Sequence, residues 1–386
     1  MGNTLFPDWL SWDAVQKVVA ALGPDSVRFV GGAVRDSLLG LPVSDLDAAT
    51  VHLPEEATAR LKAAGLSVVP TGLQHGTVTA IYDHIPIEVT TLRIDVKSHG
   101  RHADVAFTED WKADAARRDL TMNALYLSAT GDLYDPFGGV EDALAGRVRF
   151  IGDAASRIRE DALRIIRYFR FYARYGSAPL DTVELDACRD LAPLLDGLSG
   201  ERIWTELKKM SVAPNAFPAL SAMADTGILG QLGLNSDMPR LYPHISGLDD
   251  PFDIRALTMF FLMIHGAGSG QSAKARMNMS RAESATLKSL SILSGLWDAP
   301  DITQVRNYVY RFGAGPCYEM AQIQKMSDLA EEITRIKLPD FPVQGRDLLA
   351  RGVAPGPQMG QFLKELEKKW IASDFSLDRD ALLASL

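Results

Sequence analysis

The chain has 386 residues, with 40 Lys plus Arg against 49 Asp plus Glu, so its formal net charge is −9. With 47% hydrophobic and 23% charged residues, its composition is that of a globular protein and excludes a disordered or fibrous chain. At roughly 150 residues per domain, the length predicts two to three domains. A globally basic nucleic-acid-binding protein is excluded, but an acidic chain can still carry a locally basic groove for phosphates.

The cysteines and the apolar segments do not point to export or to a membrane. Cys188 and Cys317 are too few for a disulfide framework, and we expect two reduced thiols in the core. The N-terminus lacks the basic and then apolar segments of a signal peptide. The longest apolar run, 256–264, is far shorter than the ~20 residues that a membrane span needs. The sequence predicts a cytoplasmic protein without membrane association.

The first 150 residues alternate between strand and helix patterns. A short apolar strand at 27–30 ends at two glycines, and a helix at 33–39 follows it. The next predicted strand covers 45–50. Two further runs, 77–82 and 85–92, flank Asp83 and His84 and predict a hairpin.

From about residue 151 helical spacing dominates, and no fixed-period repeat is present. Residues 153–175 predict one long helix or two joined ones. Further helices are predicted at 184–195, 201–210, 218–229, 254–265, 281–296, 302–310 and 357–370. The pattern predicts an α/β first part followed by a mostly helical remainder.

The most informative stretch joins a glycine turn to a pair of carboxylates. Gly31 and Gly32 precede a helix, where backbone amides can meet a phosphate and Arg35 can pair with its oxygens. Asp45 and Asp47 alternate along the next strand, so their side chains point to the same face. Two such carboxylates, ~7 Å apart along the strand, repel unless a cation lies between them, and hard oxygen ligands suit Mg²⁺.

Residues 30–40 followed by Asp45-Leu46-Asp47 closely resemble the signature of class II tRNA nucleotidyltransferases and bacterial poly(A) polymerases. These belong to the polymerase β-like nucleotidyltransferases. The resemblance implies that Asp45 and Asp47 hold Mg²⁺ ions on the triphosphate and are catalytic. It also implies a third carboxylate on a neighbouring strand, for which Glu88 is the candidate. Gly32 and Arg35 are the corresponding nucleotide-binding candidates.

Two arginine-containing segments resemble further motifs of the same family. Residues 117–125 are similar to the second motif, which implies a nucleotide contact for Arg118. Residues 157–170 carry an E-D-x-x-R element, which resembles the motif that reads the incoming base. That resemblance assigns base reading to Asp161 and Arg164, and it leaves Arg167 and Arg170 to bind the triphosphate or to hold the pair in place.

The chemistry of the bases agrees with this assignment. Ionised Asp161 only accepts hydrogen bonds and Arg164 only donates them. Cytosine and adenine each present an amino donor beside a ring acceptor, whereas uracil and guanine present the reverse pattern. The pair would therefore accept C and A and reject U and G, because each buried mismatch costs on the order of 1–3 kcal/mol.

The remaining segments are less specific. Residues 200–207 resemble the last motif of the family, and Glu201 and Arg202 are interpreted as the start of a helix. Lys274, Arg276 and Arg281 form a small basic cluster that could contact RNA phosphates or simply be solvated. Residues 343–360 predict two helices joined by a Gly/Pro turn and resemble the tail of CCA-adding enzymes.

Together these features predict an α+β protein. We expect a polymerase β-like head with a mixed or antiparallel sheet at 1–150, a base-selecting helical neck at 151–210, and an all-α, tRNA-binding body and tail at 211–386. The resemblance implies addition of CCA to tRNA 3′ ends from CTP and ATP. It leaves poly(A) or A-only addition, and a catalytically silent RNA-binding homologue, as alternatives. No stable protein partner can be inferred. The stretch at 96–104 is interpreted as flexible and as a lever for the change from C to A.

Overall fold

A computed structural model describes residues 4–99, 102–241, 243–245, 250–265 and 277–386. The chain divides into two compact units. The first comprises Met1–Leu241 with Gly266–Asn278, and the second comprises Tyr242–His265 with Met279–Leu386. Each unit is described by itself.

A seven-stranded mixed sheet organises the first unit. Its strands are β1 (Val27–Val30), β2 (Leu46–Thr50), β3 (Ser67–Gly72), β4 (Thr77–Tyr82), β5 (Ile85–Thr91), β8 (Tyr126–Leu127) and β9 (Leu133–Tyr134), in the order β3-β4-β5-β2-β1-β8-β9. Only β2 and β5 pair in parallel. Two further strands, β6 (Arg93–His99) and β7 (His102–Phe107), form a separate antiparallel hairpin.

Twelve α-helices are described in the first unit. They are α1 (Asp13–Leu22), α2 (Gly32–Leu38), α3 (Pro54–Ala63), α4 (Trp111–Ala116), α5 (Gly139–Leu144), α6 (Ala154–Glu160), α7 (Leu163–Tyr175), α8 (Thr182–Asp190), α9 (Gly200–Ser211), α10 (Ala216–Asp225), α11 (Ile228–Gln231) and α12 (Met238–Leu241).

The sheet is covered on both faces. On one face α1 and α3 pack their apolar residues against alternate strand positions such as Phe29 and Ala48. On the other face Val30 and Ala49 pack in a smaller cluster with Tyr126. Because side chains alternate along a strand, Asp47 lies on the same face as Ala49, opposite α1 and α3.

The second unit is all-helical in its described residues. Its helices are α13 (Arg255–Ile264), α14 (Arg281–Leu296), α15 (Ile302–Phe312), α16 (Ala314–Ile323), α17 (Ser327–Arg335), α18 (Gly345–Ala350), α19 (Pro357–Ala372) and α20 (Arg379–Ala384). A tail core surrounds the buried Trp370. Gly352 (φ +85°) lies in the connection between α18 and α19, which supports the predicted pair of helices joined by a Gly/Pro turn.

The predicted fold class, an α+β protein with a mixed sheet and a helical remainder, is confirmed. The hairpin is confirmed as β4 and β5, and both cysteines are buried and unpaired. The prediction that Asp45 belongs to the strand is wrong by one residue, because β2 begins at Leu46. The described residues of the 96–104 stretch are paired in β6 and β7, while residues 100 and 101 lie outside the described part; its interpretation as flexible stays a prediction.

For residues 153–175, the second of the two predicted alternatives, two joined helices, is confirmed. Asp161 has an extended backbone (φ −152°, ψ 107°) and separates α6 from α7. None of the helices in the described ranges is both long enough and apolar enough to cross a bilayer.

Candidate active site

The glycine turn links the end of β1 to the first residue of α2. Gly31 has φ +73°, a conformation that L side chains rarely adopt. Gly32 begins α2, so the chain reverses without a side chain between the backbone and the adjacent cavity. Both glycines line that cavity.

Asp47 and Glu88 are neighbours across the parallel pair of strands, because Asp47 of β2 is in register with Glu88 of β5. Burial raises the pKa of Asp47 to about 6, and the negative charges of Glu88 and Asp45 add to this shift. Asp45 itself is exposed and accepts a hydrogen bond from the Ser44 hydroxyl (2.9 Å). The raised pKa means that the ionised Asp47 is short of compensating positive charge.

A cation with oxygen ligands fits these residues. Within the described ranges, no three His, Cys, Asp or Glu side chains are arranged as a complete metal site. Mg²⁺ commonly takes only one or two carboxylates and completes its coordination with substrate phosphates and water. Asp47, with Asp45 beside it, supplies that kind of partial site.

A cavity of about 710 Å³ adjoins Asp47, and its lining is strongly basic. Nine Lys or Arg side chains and three Asp side chains line it. Such an excess of positive charge raises the local concentration of phosphorylated ligands, although the whole chain is acidic. The lining residues are Gly31, Gly32, Arg35, Asp47, Arg93, Arg117, Arg118, Asp119, Asn123, Asp161, Leu163, Arg164, Arg167, Arg170, Phe171, Arg202 and Lys209.

Arg118 reaches the cavity from the end of α4. Its guanidinium donates to the Tyr126 hydroxyl (3.2 Å) and to Asp114 (3.3 Å), and Tyr126 also donates to Asp114 (2.6 Å). Asp114 additionally binds Arg117 at 2.9 Å and is almost completely buried. This carboxylate therefore fixes two neighbouring guanidinium groups at the cavity wall.

Arg35 is held by three protein groups. It donates to Asn123 Oδ1 (2.5 Å), to the Tyr175 hydroxyl (2.6 Å) and to its neighbour Asp36 (2.9 Å). Its guanidinium also lies over the Tyr175 ring, 4.2 Å from the centroid. Arg35 therefore joins α2 to α7, and only its remaining N–H groups are left for the phosphate contact predicted from the sequence.

Arg167 and Arg170 point from α7 into the cavity, and buried carboxylates orient both. Arg167 binds Asp119 (2.6 Å), and Arg170 binds Glu206 of α9 (2.5 Å). Although burial opposes ionisation, Arg167 and hydrogen bonds from Asn123 and the Leu120 amide lower the pKa of Asp119 to about 2. Asp119 is therefore a permanent anion that fixes Arg167.

Asp161 and Arg164 both line the cavity, but they are not paired with each other through their side chains. Asp161 accepts hydrogen bonds from Arg202 (2.7 Å) and from the Leu163 amide (3.1 Å). Arg164 donates to Glu160 (2.8 Å) and to the carbonyl oxygen of Arg117 (3.1 Å). Asp161 is in the break between α6 and α7, whereas Arg164 is in the first turn of α7.

This break has a chemical consequence. Asp161 keeps lone pairs and Arg164 keeps N–H groups beyond those used by the protein contacts. Asp161 therefore presents an acceptor and Arg164 a donor to the same cavity, and other contacts with the protein hold each side chain in place. Arg202, which the sequence analysis interprets only as the start of a helix, positions the acceptor.

Besides Gly32, seven of the predicted nucleotide-binding and catalytic residues line this cavity. They are Arg35, Asp47, Arg118, Asp161, Arg164, Arg167 and Arg170. Asp45 and Glu88 are not among the lining residues, although both act electrostatically on Asp47. Arg281 begins α14 in the second unit. Lys274 and Arg276 lie outside the described residues.

Several lining residues were not predicted from the sequence, including Arg93, Asn123, Phe171 and Lys209. Asn123 belongs to the 117–125 segment, so the motif contained the signal. Phe171 follows Arg170 on α7 and has no signal besides its apolar spacing. Arg93 and Lys209 were ordinary surface cations in the sequence.

Comparison with known proteins agrees with this geometry. Residues 27–149 match the model of the Poly A polymerase head domain, and residues 180–236 match the probable RNA and SrmB-binding site of polymerase A. The CCA tRNA nucleotidyltransferase 1, mitochondrial, of Danio rerio is 37% identical, over 93% of this chain and 86% of that protein. The chain belongs to the class II CCA-adding enzyme family.

Other members of the CCA-adding enzyme family give the same result. The CCA-adding enzyme of Leuconostoc mesenteroides is 31% identical, over 92% of this chain and 90% of that protein. The structure of the Bacillus stearothermophilus CCA-adding enzyme in complex with CTP superposes on this chain with a TM-score of 0.75 at 26% identity. The match covers 94% of each chain. The Thermotoga maritima enzyme complexed with tRNA shares the fold, with a TM-score of 0.64 at 19% identity. The family resemblance stated from the motifs is therefore confirmed.

Proposed function

We propose that this chain adds CCA to the 3′ end of tRNA, using CTP and ATP and releasing pyrophosphate. One observation carries the proposal: a single basic cavity is lined both by Asp47 and by the acceptor–donor pair Asp161 and Arg164. A nucleoside triphosphate needs both a charged end for its phosphates and a polar edge for its base. Family membership at 37% identity over most of the chain supports the same activity.

In this reaction the 3′-oxygen of the RNA forms a bond to the α-phosphorus, and the bond from that phosphorus to pyrophosphate breaks. Asp47 and Asp45 would hold Mg²⁺ on the triphosphate, with Glu88 as the neighbouring carboxylate. When held by these carboxylates, Mg²⁺ would supply activation of the attacking oxygen and charge neutralisation for the leaving pyrophosphate. The protein contributes mainly by positioning the two reactants.

The arginines orient the nucleotide. Arg118, Arg167 and Arg170 are fixed by Asp114, Asp119 and Glu206, so they meet a triphosphate without a large loss of side-chain entropy. Asp161 accepts the amino group of cytosine or adenine, and Arg164 donates to the ring nitrogen beside it. Uracil and guanine would instead place their carbonyl oxygen against the Asp161 carboxylate and their ring N–H against the Arg164 N–H groups.

The first experiment is single-nucleotide extension of a tRNA transcript that lacks CCA, with Mg²⁺ and each nucleoside triphosphate alone and then CTP with ATP. We expect two C additions with CTP and a third step that requires ATP. The Asp45→Ala/Asp47→Ala variant should be inactive. Asp190→Ala, at the exposed end of α8, is the matched control and should keep full activity.

Other results would point to the alternatives. Repeated A addition without C would assign the chain to poly(A) or A-only addition, which the Asp161 and Arg164 pair also permits. No extension by the wild type with any nucleotide would leave an RNA-binding homologue. We also propose that the protein is located in the cytoplasm, as predicted from the sequence. The Danio rerio relative, by contrast, is named as mitochondrial.

A further inference from the structure

The cations that line the cavity differ in how they are neutralised. Seven of the nine have a carboxylate partner within 4 Å: Arg35, Arg117, Arg118, Arg164, Arg167, Arg170 and Arg202. Arg93 donates to the carbonyl oxygen of His75. Lys209, which is exposed at the cavity wall, has no ion-pair partner among the residues that the structure describes.

Lys209 lies one turn beyond the last ion pair between α7 and α9. Asp161, just before α7, meets Arg202 at the start of α9, and Arg170 meets Glu206 further along both helices. The two helices therefore run in the same direction. Because residues three or four apart share a helix face, Lys209 follows Glu206 on α9 and Arg174 follows Arg170 on α7.

Arg174 follows Arg170 by one turn of α7 and adds a further positive charge next to the cavity. It is exposed, and within the described ranges it forms no ion pair; its guanidinium lies 5.9 Å from the centroid of the Tyr175 ring. Tyr175 in turn binds Arg35 at the cavity wall. Arg174 and Lys209 thus extend the positive charge of the cavity by one helical turn, and neither has an ion-pair partner in the part of the chain that the structure describes.

We propose that Arg174 and Lys209 bind the phosphate backbone of the RNA strand next to its reacting 3′ end. This inference rests on the proposed function, and it names a substrate contact that the nucleotide site does not need. Charged contacts to the backbone position a strand without reading its sequence, which suits an enzyme that must accept many tRNAs. A triphosphate is the other ligand with this chemistry, and the experiment separates the two.

The test is the Arg174→Ala/Lys209→Ala variant, measured by anisotropy with a labelled tRNA transcript lacking CCA and by steady-state CTP incorporation. We expect the Kd for tRNA to rise roughly three- to tenfold near 0.15 M salt, and the salt dependence of log Kd to fall by about 1.4 for two single-strand phosphate contacts. The KM for CTP should stay at the wild-type value. Lys209→Arg should retain tRNA binding.

Lys208→Ala is the matched control, because Lys208 is the neighbour of Lys209 on α9 but lies over the Trp204 ring (5.4 Å) and does not line the cavity. It should bind tRNA with the wild-type salt dependence. Lys209→Glu, a single change at an exposed position, repeats the test if the double variant folds poorly.

Two results would overturn the proposal. One is unchanged tRNA affinity and salt dependence in the double variant. The other is a raised KM for CTP with unchanged tRNA affinity, which would assign both side chains to the triphosphate. Because the anisotropy measurement needs no catalysis, a wild type that binds tRNA but adds no nucleotide would refute the proposed function and still test this contact.

Discussion

At the scale of the residue, Asp47 is the group whose ionisation the cavity controls most directly. Its pKa is raised to about 6 by burial and by the charges of Glu88 and Asp45. Since the folded protein favours the protonated form, Asp47 is neutral below about pH 6 and ionised above it. A metal ion must therefore compete with a proton for this carboxylate.

We accordingly expect kcat/KM for CTP addition to fall tenfold per pH unit below about pH 6 when Mg²⁺ is limiting. Raising the Mg²⁺ concentration should move the midpoint to lower pH, because the metal stabilises the ionised form. The measurement is a pH profile at two Mg²⁺ concentrations. A midpoint that does not move with Mg²⁺ would contradict a metal-binding role for Asp47.

The carboxylate of Asp161 leads to a prediction about base selection. Asp161→Asn replaces an acceptor with an amide that both donates and accepts, so it can meet the carbonyl oxygen of uracil. The ratio of kcat/KM for CTP over UTP should fall by roughly 10- to 100-fold, which corresponds to about 1–3 kcal/mol. Asp190→Asn should keep the wild-type ratio. An unchanged ratio in Asp161→Asn would show that another group reads the base.

Several residues that line the cavity could be predicted, whereas the groups that hold them could not. Asp47, Asp161 and Arg164 stand in short motifs whose chemistry is recognisable in the sequence. Arg202, by contrast, binds Asp161 across 41 residues of chain, and Glu206 binds Arg170 from another helix. Spacing along the chain carries no information about such contacts, because only the packing of α7 against α9 creates them.

At the scale of the element, strands and helices with an apolar repeat were predictable, and interruptions were not. β1, β4 and β5 agree closely with their predicted bounds. The helical spacing continues through Asp161, so it allows either one long helix or two joined ones and does not locate the break. The break is stabilised by contacts of the Asp161 carboxylate with the Leu163 amide and with Arg202.

The β6–β7 hairpin is the element to which we assign the change from C to A. Replacing residues 96–104 with an unrelated loop should preserve the two C additions and reduce the final A addition. The physical reason is that, if Asp161 and Arg164 accept either base as proposed, the change from C to A requires the growing RNA end to alter the cavity. Extension of tRNA ending in CC, compared with tRNA lacking CCA, measures the two steps. An equal loss of all three additions would contradict this role.

The contact between α2 and α7 gives a further prediction. Tyr175→Phe keeps the ring over Arg35 but removes the hydroxyl that accepts its hydrogen bond (2.6 Å). We expect the free energy of unfolding to fall by about 1.5–3 kcal/mol, as for a hydrogen bond to a charged group. Urea denaturation measures the change. Tyr172→Phe, on the same helix, is the control and should change stability much less; equal effects of both substitutions would contradict the assignment.

At the scale of the whole molecule, charge and function are distributed unevenly. The chain has a net charge of −9, yet the cavity that holds Asp47 is lined by nine cations and three anions. Composition predicted that a basic groove was possible but could not locate it, since the arginines come from segments far apart in sequence. Every residue that lines the cavity belongs to the first unit. The proposed nucleotide site should therefore respond little to changes in the core of the second unit.

A buried ion pair in the second unit allows this separation to be tested. Arg255 donates to both carboxylate oxygens of Glu319 (2.9 and 3.2 Å from Nε), and Glu319 is completely buried. Removing one partner leaves the other charge buried without compensation, so Glu319→Gln should lower the free energy of unfolding by roughly 3–5 kcal/mol. Replacing both, as Arg255→Met/Glu319→Leu, should restore most of this loss, since apolar packing can substitute for a buried pair.

The decisive comparison is between stability and nucleotide binding. Under conditions where Glu319→Gln remains folded, its Kd for CTP should equal that of the wild type, because no side chain of the cavity is altered. Denaturant midpoints measured by circular dichroism, together with calorimetric CTP binding at low temperature, test both parts. A Kd for CTP that rises in the folded variant would mean that the second unit shapes the nucleotide site. A double variant no more stable than the single one would mean that the ion pair itself, and not compensation of a buried charge, stabilises this unit.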